Sequence, residues 1–158
     1  MSAIHIGFKR LTPDAVIPTK AHASDSGFDL VASADVIIEP GATVVVPTGI
    51  AVELPEGYEA QVRPRSGVTS KTKLRVQLGT IDNGYVGGIG VIVDNIAQIT
   101  EETDYIDGSY LINKGDRIAQ LVVQRLPDVV AYEVAELGES ERGEKGFGST
   151  GVSTEVGE

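Results

Sequence analysis

Short runs of β-branched residues, interrupted by turn-forming pairs, fill much of this chain. The segment VIIEPGATVVVPTGIAVELPEGYEAQVRPRSG (36–67) has Pro-Gly, Thr-Gly and Glu-Gly breaks between runs rich in Val and Ile. Runs of this length and composition favour strands, and their regular spacing is typical of a sandwich or barrel. The pattern therefore predicts an all-β protein.

Two longer segments predict β-hairpins. In LRVQLGTIDNGYVGGIGVIVDN (74–95), Asn83-Gly84 joins two apolar runs, and both residues accept the positive φ that a two-residue hairpin turn needs. The segment YLINKGDRIAQLVVQRL (110–126) repeats this pattern around Lys-Gly-Asp. A helix is conceivable only for DVVAYEVAEL (128–137), and its β-branching favours a strand. We predict a β-core at residues 1–136 and a polar, glycine-rich arm at residues 137–158.

The composition limits both chemistry and location. A chain of 158 residues fits one domain with a real core. Because it has no cysteine, a disulfide framework, a thiolate zinc site and a cysteine nucleophile are excluded, and a reducing compartment is the simplest location. The first residues alternate apolar and polar, and no segment approaches the length of a membrane span. We expect a soluble, cytoplasmic protein that does not bind membranes.

The charge pattern indicates a small anionic ligand. The net charge of −10 argues against nucleic-acid binding. Residues 60–81, however, contain five Lys and Arg residues and no acid, and Arg142 with Lys145 forms a second basic spot. An ordinary solvated strand face is the alternative interpretation of the first basic stretch.

Three short motifs carry candidate chemistry. RPRSG (63–67) offers a charged fork, a hydroxyl and backbone N–H groups, which suit phosphate, although a plain turn has the same sequence. In GTIDNGY (79–85), Asp82 is positioned to activate a water, or only to flank an Asx-type turn. In SDSGFDL (24–30), Asp29 is a candidate partner of a metal-bound water, or simply ends a strand.

The segment RGEKGFGSTG (142–151) matches the dinucleotide-binding pattern G-x-G-x-x-G by its glycines. That pattern requires a following helix, and only seven residues follow Gly151 in this sequence. A Walker A loop is also incomplete here. We instead expect an arm that folds over a bound anion, with Arg142 as the charge and Phe147 as the cover of a flat ring; a disordered end is the alternative.

These motifs together resemble, in order, the five motifs of the homotrimeric dUTPases. The resembling stretches are SDSGFDL, PRSG, GTIDNGYVG, KGDRIAQL and RGEKGFGSTG, which span residues 24–151. The resemblance implies a distorted jelly roll with a flexible C-terminal arm, assembled as a trimer with shared active sites. It also implies hydrolysis of dUTP to dUMP and pyrophosphate.

The resemblance also implies roles for individual residues. Asp82 would contact the sugar 3′-hydroxyl and activate the attacking water, and Tyr85 would lie under the deoxyribose. Mg²⁺ would be held mainly by the substrate phosphates, with Asp29 reaching it through water. The remaining substrate-binding residues would be Arg65, Ser66, Gly67 and Gln120 for phosphates, Gly79, Thr80, Ile81 and Gly90 for uracil, and Arg142, Phe147, Gly148, Ser149 and Thr150 from the arm.

Some positions depart from the family pattern. Many members have an uracil-contacting asparagine where this chain has Val76, and neighbouring Gln77 is a candidate replacement. Val86 replaces a common arginine. The acidic stretch 96–112 is longer than in compact members and either binds a regulatory protein or is an idle hairpin.

Three alternative functions stay open at this point. A dCTP deaminase shares part of GTIDNGY but lacks the glycine-rich fifth motif. A regulatory protein could use the same scaffold to bind another protein, with or without enzyme activity. A structural jelly roll, such as a coat protein, leaves Asp82, Tyr85 and the arm without a purpose.

Overall fold

The computed structural model describes residues 3–98 and 108–145. Within these residues the chain forms eleven strands and one short helix. In chain order they are β1 (Gly7–Arg10), β2 (Phe28–Val31), β3 (Val36–Ile38), β4 (Thr43–Pro47), β5 (Ile50–Glu53), β6 (Tyr58–Pro64), α1 (Ser66–Lys71), β7 (Leu74–Val76), β8 (Gly79–Ile81), β9 (Gly90–Asn95), β10 (Tyr110–Ile112) and β11 (Arg117–Arg125).

The strands pair antiparallel in four sheets. The largest sheet has the order β2-β11-β6-β8, and a second has the order β4-β9-β7. Two-stranded sheets are formed by β1 with β5 and by β3 with β10. This all-β jelly roll confirms the fold class that the sequence predicts.

Alternate residues of the strands form the core. In β9, Val91 and Val93 are buried, whereas Ile92 between them is 41% exposed. In β6, Val62 is buried and the next residue, Arg63, is only half-buried. Because successive side chains of a strand point to opposite faces, the strands that build the core also present functional residues on their other face.

Both predicted hairpins form their turns but not their ladders, so the hairpin predictions are wrong. Around Asn83-Gly84 the Tyr85 N–H donates to the Asp82 carbonyl at 3.1 Å, yet β8 pairs with β6 while β9 pairs with β4 and β7. The turn before β11 also joins two strands that do not pair with each other, since β10 pairs with β3 and β11 pairs with β2 and β6. Turn residues fix the local backbone, but the burial of apolar faces selects the strand partners.

A short helix replaces the turn predicted at RPRSG. Arg65 has extended backbone angles and caps α1, whose first residue is Ser66. The Arg75 guanidinium donates to the carbonyls of Thr69 and Thr72, both at 3.1 Å, and so satisfies carbonyl groups at the end of this helix. The helix therefore begins directly at the residues that the sequence singles out for phosphate binding.

The strand predicted at residues 128–137 is absent, so this prediction is wrong as well. Residues 126–134 have no regular structure, and Val129, Val130 and Tyr132 are more than 80% exposed. A strand needs a neighbouring strand for its backbone groups, and the described residues provide none for this segment.

Internal contacts divide the chain into two units, Met1–Asp128 and Val129–Glu158. The predicted division into a core to residue 136 and an arm from residue 137 stays a prediction. Among the described residues, no helix has the length and apolar character to cross a bilayer.

Candidate active site

A first pocket, which we call the turn pocket, forms beside the Asn83-Gly84 turn and has a volume of about 230 Å³. It is lined by Val62, residues 79–82, Tyr85, residues 88–90 and Ile92. Strand β8 supplies one wall, and the chain that enters β9 supplies the other. Because glycines and apolar residues predominate, backbone N–H and C=O groups are the main polar groups that this pocket can offer a ligand.

Asp82 lies where β8 ends. Ile81 before it is 7% exposed and packs in the core, whereas Asp82 itself is exposed. The change from a buried to an exposed residue follows from strand alternation and places the carboxylate at the edge of the turn pocket. A carboxylate in this position can accept a proton from a water held in the pocket.

Tyr85 is folded onto the following glycines. Its hydroxyl donates to the Gly88 carbonyl at 3.1 Å, and the side chain is 50% exposed. A Cβ atom on Gly87 would lie only 2.5 Å from the Tyr85 hydroxyl oxygen, so glycine is required for this packing. The exposed ring therefore forms a flat surface against which a planar or cyclic group can pack.

A second pocket, which we call the basic pocket, has a volume of about 440 Å³. It is lined by Ala21, residues 25–27, Asp29, Arg63, Arg65, Ser66, Gln120 and Val122. Strand register explains its centre, because Gln120 of β11 lies opposite Asp29 of β2 on one side and opposite Arg63 of β6 on the other. Residues directly opposite in a sheet share a face, so these three side chains form one polar row.

Asp29 is the electrostatic centre of the basic pocket. One carboxylate oxygen lies 3.5 Å from the Arg65 Nε atom, and the other lies 3.6 Å from the Arg117 Nε atom. The Asp29 side chain is only 18% exposed. Arg65 also donates to the Arg117 carbonyl at 3.3 Å. Two guanidinium groups thus converge on one carboxylate, which leaves net positive charge beside Ser66.

Gln120 is held close to the backbone on both sides. Its Nε2 atom donates to the Pro64 carbonyl at 3.0 Å. A Cβ atom on Gly27 would lie 2.5 Å from the Gln120 Oε1 atom and 2.9 Å from its Cβ atom. Only glycine therefore allows the first and fourth motifs to approach this closely.

A scan against protein-family models matches residues 14–151 to the dUTPase model. The chain belongs to the dUTPase family. A deoxyuridine 5′-triphosphate nucleotidohydrolase of Thermobifida fusca is 43% identical over 94% of this chain and 79% of the relative.

Solved dUTPases of staphylococcal phages have the same fold. The dUTPase of phage 80alpha, described with dUPNHPP and with control of the transfer of virulence genes, is 38% identical. It has a TM-score of 0.87 and covers 95% of this chain and 100% of its own. A D95N mutant dUTPase of phage phi11, described with a structural Mg(II) ion, is 32% identical. Its TM-score is 0.79, with 86% of this chain and 100% of its own covered.

The structure of this dUTPase brings the predicted residues together in two groups. The turn pocket collects Gly79, Thr80, Ile81, Asp82, Tyr85 and Gly90, and the basic pocket collects Asp29, Arg65, Ser66 and Gln120. Gly67 is the second residue of α1 and lines neither pocket. Arg142 belongs to the second unit, where its Nε atom donates to the Lys145 carbonyl at 3.0 Å. Phe147, Gly148, Ser149 and Thr150 lie outside the described residues.

The two pockets of the dUTPase chain share no lining residue. Strand β6 contributes to both, since Val62 lines the turn pocket and the next residue, Arg63, lines the basic pocket. Successive residues of a strand face opposite ways, so one chain presents the two groups of residues in different directions.

Sequence reasoning missed several residues of the dUTPase site. Arg117 pairs with Asp29, and Asp25 and Gly27 line the basic pocket. Arg117 stands within the KGDRIAQL motif, three residues before Gln120, and its position in the motif was the available signal. The contact with Asp29 depends on the pairing of β2 with β11, which the sequence does not reveal.

Val76, which replaces the family asparagine, and Gln77, the candidate replacement, do not line the turn pocket. Val76 is 8% exposed and packs in the core. Gln77 donates its side-chain amide to Asp94. This bond uses one of the two N–H groups of the amide, and the role of Gln77 as the replacement stays a prediction.

The donor set around Asp29 fits a cation that arrives with the substrate. The described residues contain no group of three or more His, Cys, Asp or Glu that could hold a metal ion. Asp29, with Asp25 in the same pocket, supplies carboxylate oxygens beside the arginines. Mg²⁺ usually keeps several waters and binds through one or two carboxylates together with substrate phosphates, which is compatible with this arrangement.

Proposed function

We propose that this chain hydrolyses dUTP to dUMP and pyrophosphate, with Asp82 activating the water that attacks the α-phosphorus. The observation that carries the assignment is the turn pocket, where an exposed carboxylate and a tyrosine ring flank a cavity of about 230 Å³. Removal of dUTP in this way would limit uracil incorporation into DNA.

The turn pocket would receive the nucleoside. Backbone groups of residues 79–81 and of Gly90 would meet the polar edge of uracil, and Tyr85 would pack under the deoxyribose. Fixed backbone donors and acceptors reject a base whose carbonyl is replaced by an amine, because the buried groups would then be unpaired. The narrow space between the strands would exclude a methyl group at position 5 of the base.

The basic pocket would receive the triphosphate. Arg65, Ser66 and Gln120 line it, and Gly67 would add a backbone N–H from α1. The arm would close over the nucleotide, with Arg142 on the phosphates and Phe147 over the uracil. Gly148, Ser149 and Thr150 would complete the contacts to the terminal phosphates. Clamping both ends of the substrate aligns the α-phosphorus with the attacking water.

Mg²⁺ is proposed as the cofactor, carried on the triphosphate and reached by Asp29 through water. When bound, it would neutralise charge that develops on the phosphates. The role left to this chain is to hold the ion's water shell at Asp29 and to keep Arg65 and Arg117 near the same phosphates.

A homotrimer is proposed because it would bring the turn pocket of one copy to the basic pocket of another. The turn pocket and the basic pocket share no residue, so Asp82 of one copy would face Arg65 of another. Exposed apolar residues Val129, Val130, Tyr132 and Leu137, each more than 80% exposed, offer a surface that a second copy would cover. Sedimentation equilibrium tests this assembly, and a monomer at assay concentration would refute it.

The experiment for the reaction compares pyrophosphate and ammonia release from dUTP, dTTP, dCTP and UTP, with and without Mg²⁺. Pyrophosphate from dUTP alone supports the proposal, whereas ammonia from dCTP would indicate a deaminase.

Asp82→Asn should lower kcat by about 10²- to 10⁴-fold and leave KM nearly unchanged, because the amide cannot accept the proton. An unchanged kcat would remove Asp82 from the role of base.

A regulatory protein partner is the second candidate function, beside the hydrolase activity. The resemblance to the phage 80alpha dUTPase, described as controlling the transfer of virulence genes, supports it. Leu111, within the 96–112 stretch, lies directly opposite Ile37 in the small sheet of β3 and β10, and both are more than half exposed. A pull-down with the intact chain and with a chain lacking residues 99–108 tests the proposal; unchanged partners would exclude a role of this stretch in binding.

The proposed location is the cytoplasm, which the absence of cysteine supports.

A further inference from the structure

Asn83 has a side chain that the proposed reaction does not use, although it directly follows Asp82. Its Nδ2 atom donates to the Pro55 carbonyl at 2.7 Å and to the Leu54 carbonyl at 3.2 Å. A side-chain amide carries two N–H groups, so both of its donors are occupied. The residue therefore fastens the turn to a distant part of the chain, 28 and 29 residues earlier.

The acceptor carbonyls belong to a well-anchored connection between β5 and β6. On one side, Glu53 pairs with Gly7 of β1. On the other side, Tyr58 pairs with Arg125 of β11, and the Leu126 N–H donates to the Gly57 carbonyl at 2.8 Å. Two sheets thus hold the connection, and it can serve as a fixed support for the turn.

The turn itself has little other support. Residues 82–86 are exposed, and the backbone hydrogen bond from Tyr85 to Asp82 stays within the turn. So does the bond from the Tyr85 hydroxyl to Gly88. In the described ranges 3–98 and 108–145, the two Asn83 bonds are the only hydrogen bonds that join residues 82–88 to another segment.

The backbone of Asp82 is consequently fixed from both sides. Ile81 before it is buried and paired with Ala60 of β6, and Asn83 after it is bonded to residues 54 and 55. Without the Asn83 bonds, the carboxylate would sit at the start of an exposed loop whose backbone is anchored only at Ile81 and at Ile89, which is buried and bonded to Ile50 and Thr48. General-base catalysis requires the base within hydrogen-bond reach of its water, so this freedom would cost turnover.

We propose that Asn83 is a positioning residue for hydrolysis, which holds the Asp82 carboxylate at the edge of the turn pocket through the carbonyls of Leu54 and Pro55. The inference rests on the proposed role of Asp82 as base. It assigns to Asn83 a function beyond its preference for turns, since a turn-forming residue alone would not need both amide donors.

The test compares Asn83→Ala and Asn83→Ser with Asn113→Ala. Serine keeps a small, polar, turn-forming side chain but is too short to reach both carbonyls. Asn113 is an exposed asparagine in the turn before β11, whose amide lies 3.5 Å from an Asp116 carboxylate oxygen, and its replacement is the matched control. Tm is measured for each variant, to confirm that the chains remain folded.

Both Asn83 variants should lower kcat for dUTP by about 10- to 100-fold, because a small displacement of the base is costly. KM and the affinity for a non-hydrolysable α,β-imido analogue of dUTP should stay within about twofold of the unmodified chain. Asn113→Ala should change neither value. A kcat within about twofold of the unmodified chain, or a loss of analogue affinity as large as the loss of kcat, would overturn the proposal.

The double variant separates this inference from the proposed function. If Asn83 acts through Asp82, adding Asn83→Ala to Asp82→Asn should lower kcat no further. A further fall would overturn the positioning role while leaving Asp82 as base. If Asp82→Asn keeps full turnover, the base assignment fails, and the positioning role fails with it. If Asp82→Asn is inactive and Asn83→Ala is fully active, only the positioning role fails.

Discussion

The two pockets of this chain offer a ligand different parts of the polypeptide. The turn pocket is lined largely by backbone and apolar side chains, with Asp82 and Tyr85 at its edge. The basic pocket is lined by charged and polar side chains, two of which, Asp29 and Arg65, already form an ion pair. With the proposed substrate, selection in the turn pocket would therefore depend on shape, whereas binding in the basic pocket would depend on an exchange of charge partners.

The difference has a consequence for substitution. A backbone N–H or C=O group survives most side-chain changes, so the turn pocket is vulnerable mainly where a new atom would fill it. The basic pocket is vulnerable wherever a positive charge is removed, because the Asp29 carboxylate, which is paired with Arg65 and Arg117, would then repel the triphosphate proposed to bind there.

The largest effect outside Asp82 and Asn83 is expected for Arg65→Ala. Loss of the guanidinium removes a phosphate contact and leaves Asp29 with only Arg117, so kcat/KM for dUTP should fall by about 10- to 100-fold. Arg65→Lys should recover part of this loss, since lysine keeps the charge but not the planar fork. Arg125→Ala, at the exposed end of β11, is the control. Steady-state kinetics with dUTP measure all three, and an Arg65→Ala enzyme equal to the control would remove Arg65 from phosphate binding.

The sequence predicts which residues belong to each pocket better than it predicts how those residues are arranged. Residues 79–85 are contiguous, so the motif alone indicates that Asp82 and Tyr85 are near each other. The basic pocket instead joins residues from β2, β6 and β11, and its polar row exists because Gln120 pairs with Asp29 and with Arg63. Pairing of distant strands is decided by the burial of their apolar faces, which no local motif records.

The missed hairpins have the same cause. Asn83-Gly84 has the sequence of a tight hairpin turn, and the turn forms. However, β8 pairs with β6, and β9 pairs with β4 and β7. The separation of the two strands opens the space that becomes the turn pocket. The alternation of apolar residues, by contrast, predicts the strands themselves well, because it reflects burial directly.

Gly87→Ala should produce a smaller effect, confined to the turn pocket. The new Cβ atom would lie 2.5 Å from the Tyr85 hydroxyl oxygen and 2.6 Å from the Tyr85 Cζ atom, so the ring must move. We expect the Tyr85 ring, packed under the deoxyribose, to leave no room for a 2′-hydroxyl, so in Gly87→Ala the preference for dUTP over UTP in kcat/KM should fall by about tenfold.

Tyr85→Phe is the matched control for this displacement. It keeps the ring and removes only the hydrogen bond to Gly88, so the preference for dUTP over UTP should change less than in Gly87→Ala. Parallel kinetics with the two nucleotides measure the ratio. An unchanged preference in Gly87→Ala would show that the position of the Tyr85 ring does not select the sugar.

The smallest effect is expected for substitution of Asp94. Neutral groups donate hydrogen bonds to its carboxylate, whereas guanidinium groups form ion pairs with the carboxylate of Asp29. Hydrogen bonds from the Thr43 hydroxyl, at 2.6 Å, and from the Gln77 amide lower the pKa of Asp94 below its ordinary value of 3.8. Because the folded-state pKa is lowered, the stabilisation is present above pH 3.8 and is lost as the pH falls through the folded value. Asp94→Asn should therefore lower Tm slightly at neutral pH, and the difference from the unmodified chain should shrink as the pH falls below 3.8. The control is Asp128→Asn, because Asp128 is an exposed aspartate beyond the last strand.

Hydrogen bonds from neutral donors are little screened by salt, so the Tm difference caused by Asp94→Asn should persist in 1 M NaCl, where the Debye length is about 3 Å. A Tm difference that vanishes in salt would indicate that charge neighbours rather than Thr43 and Gln77 stabilise this carboxylate, and a difference that is independent of pH would show that its ionised form is not stabilised in the folded chain.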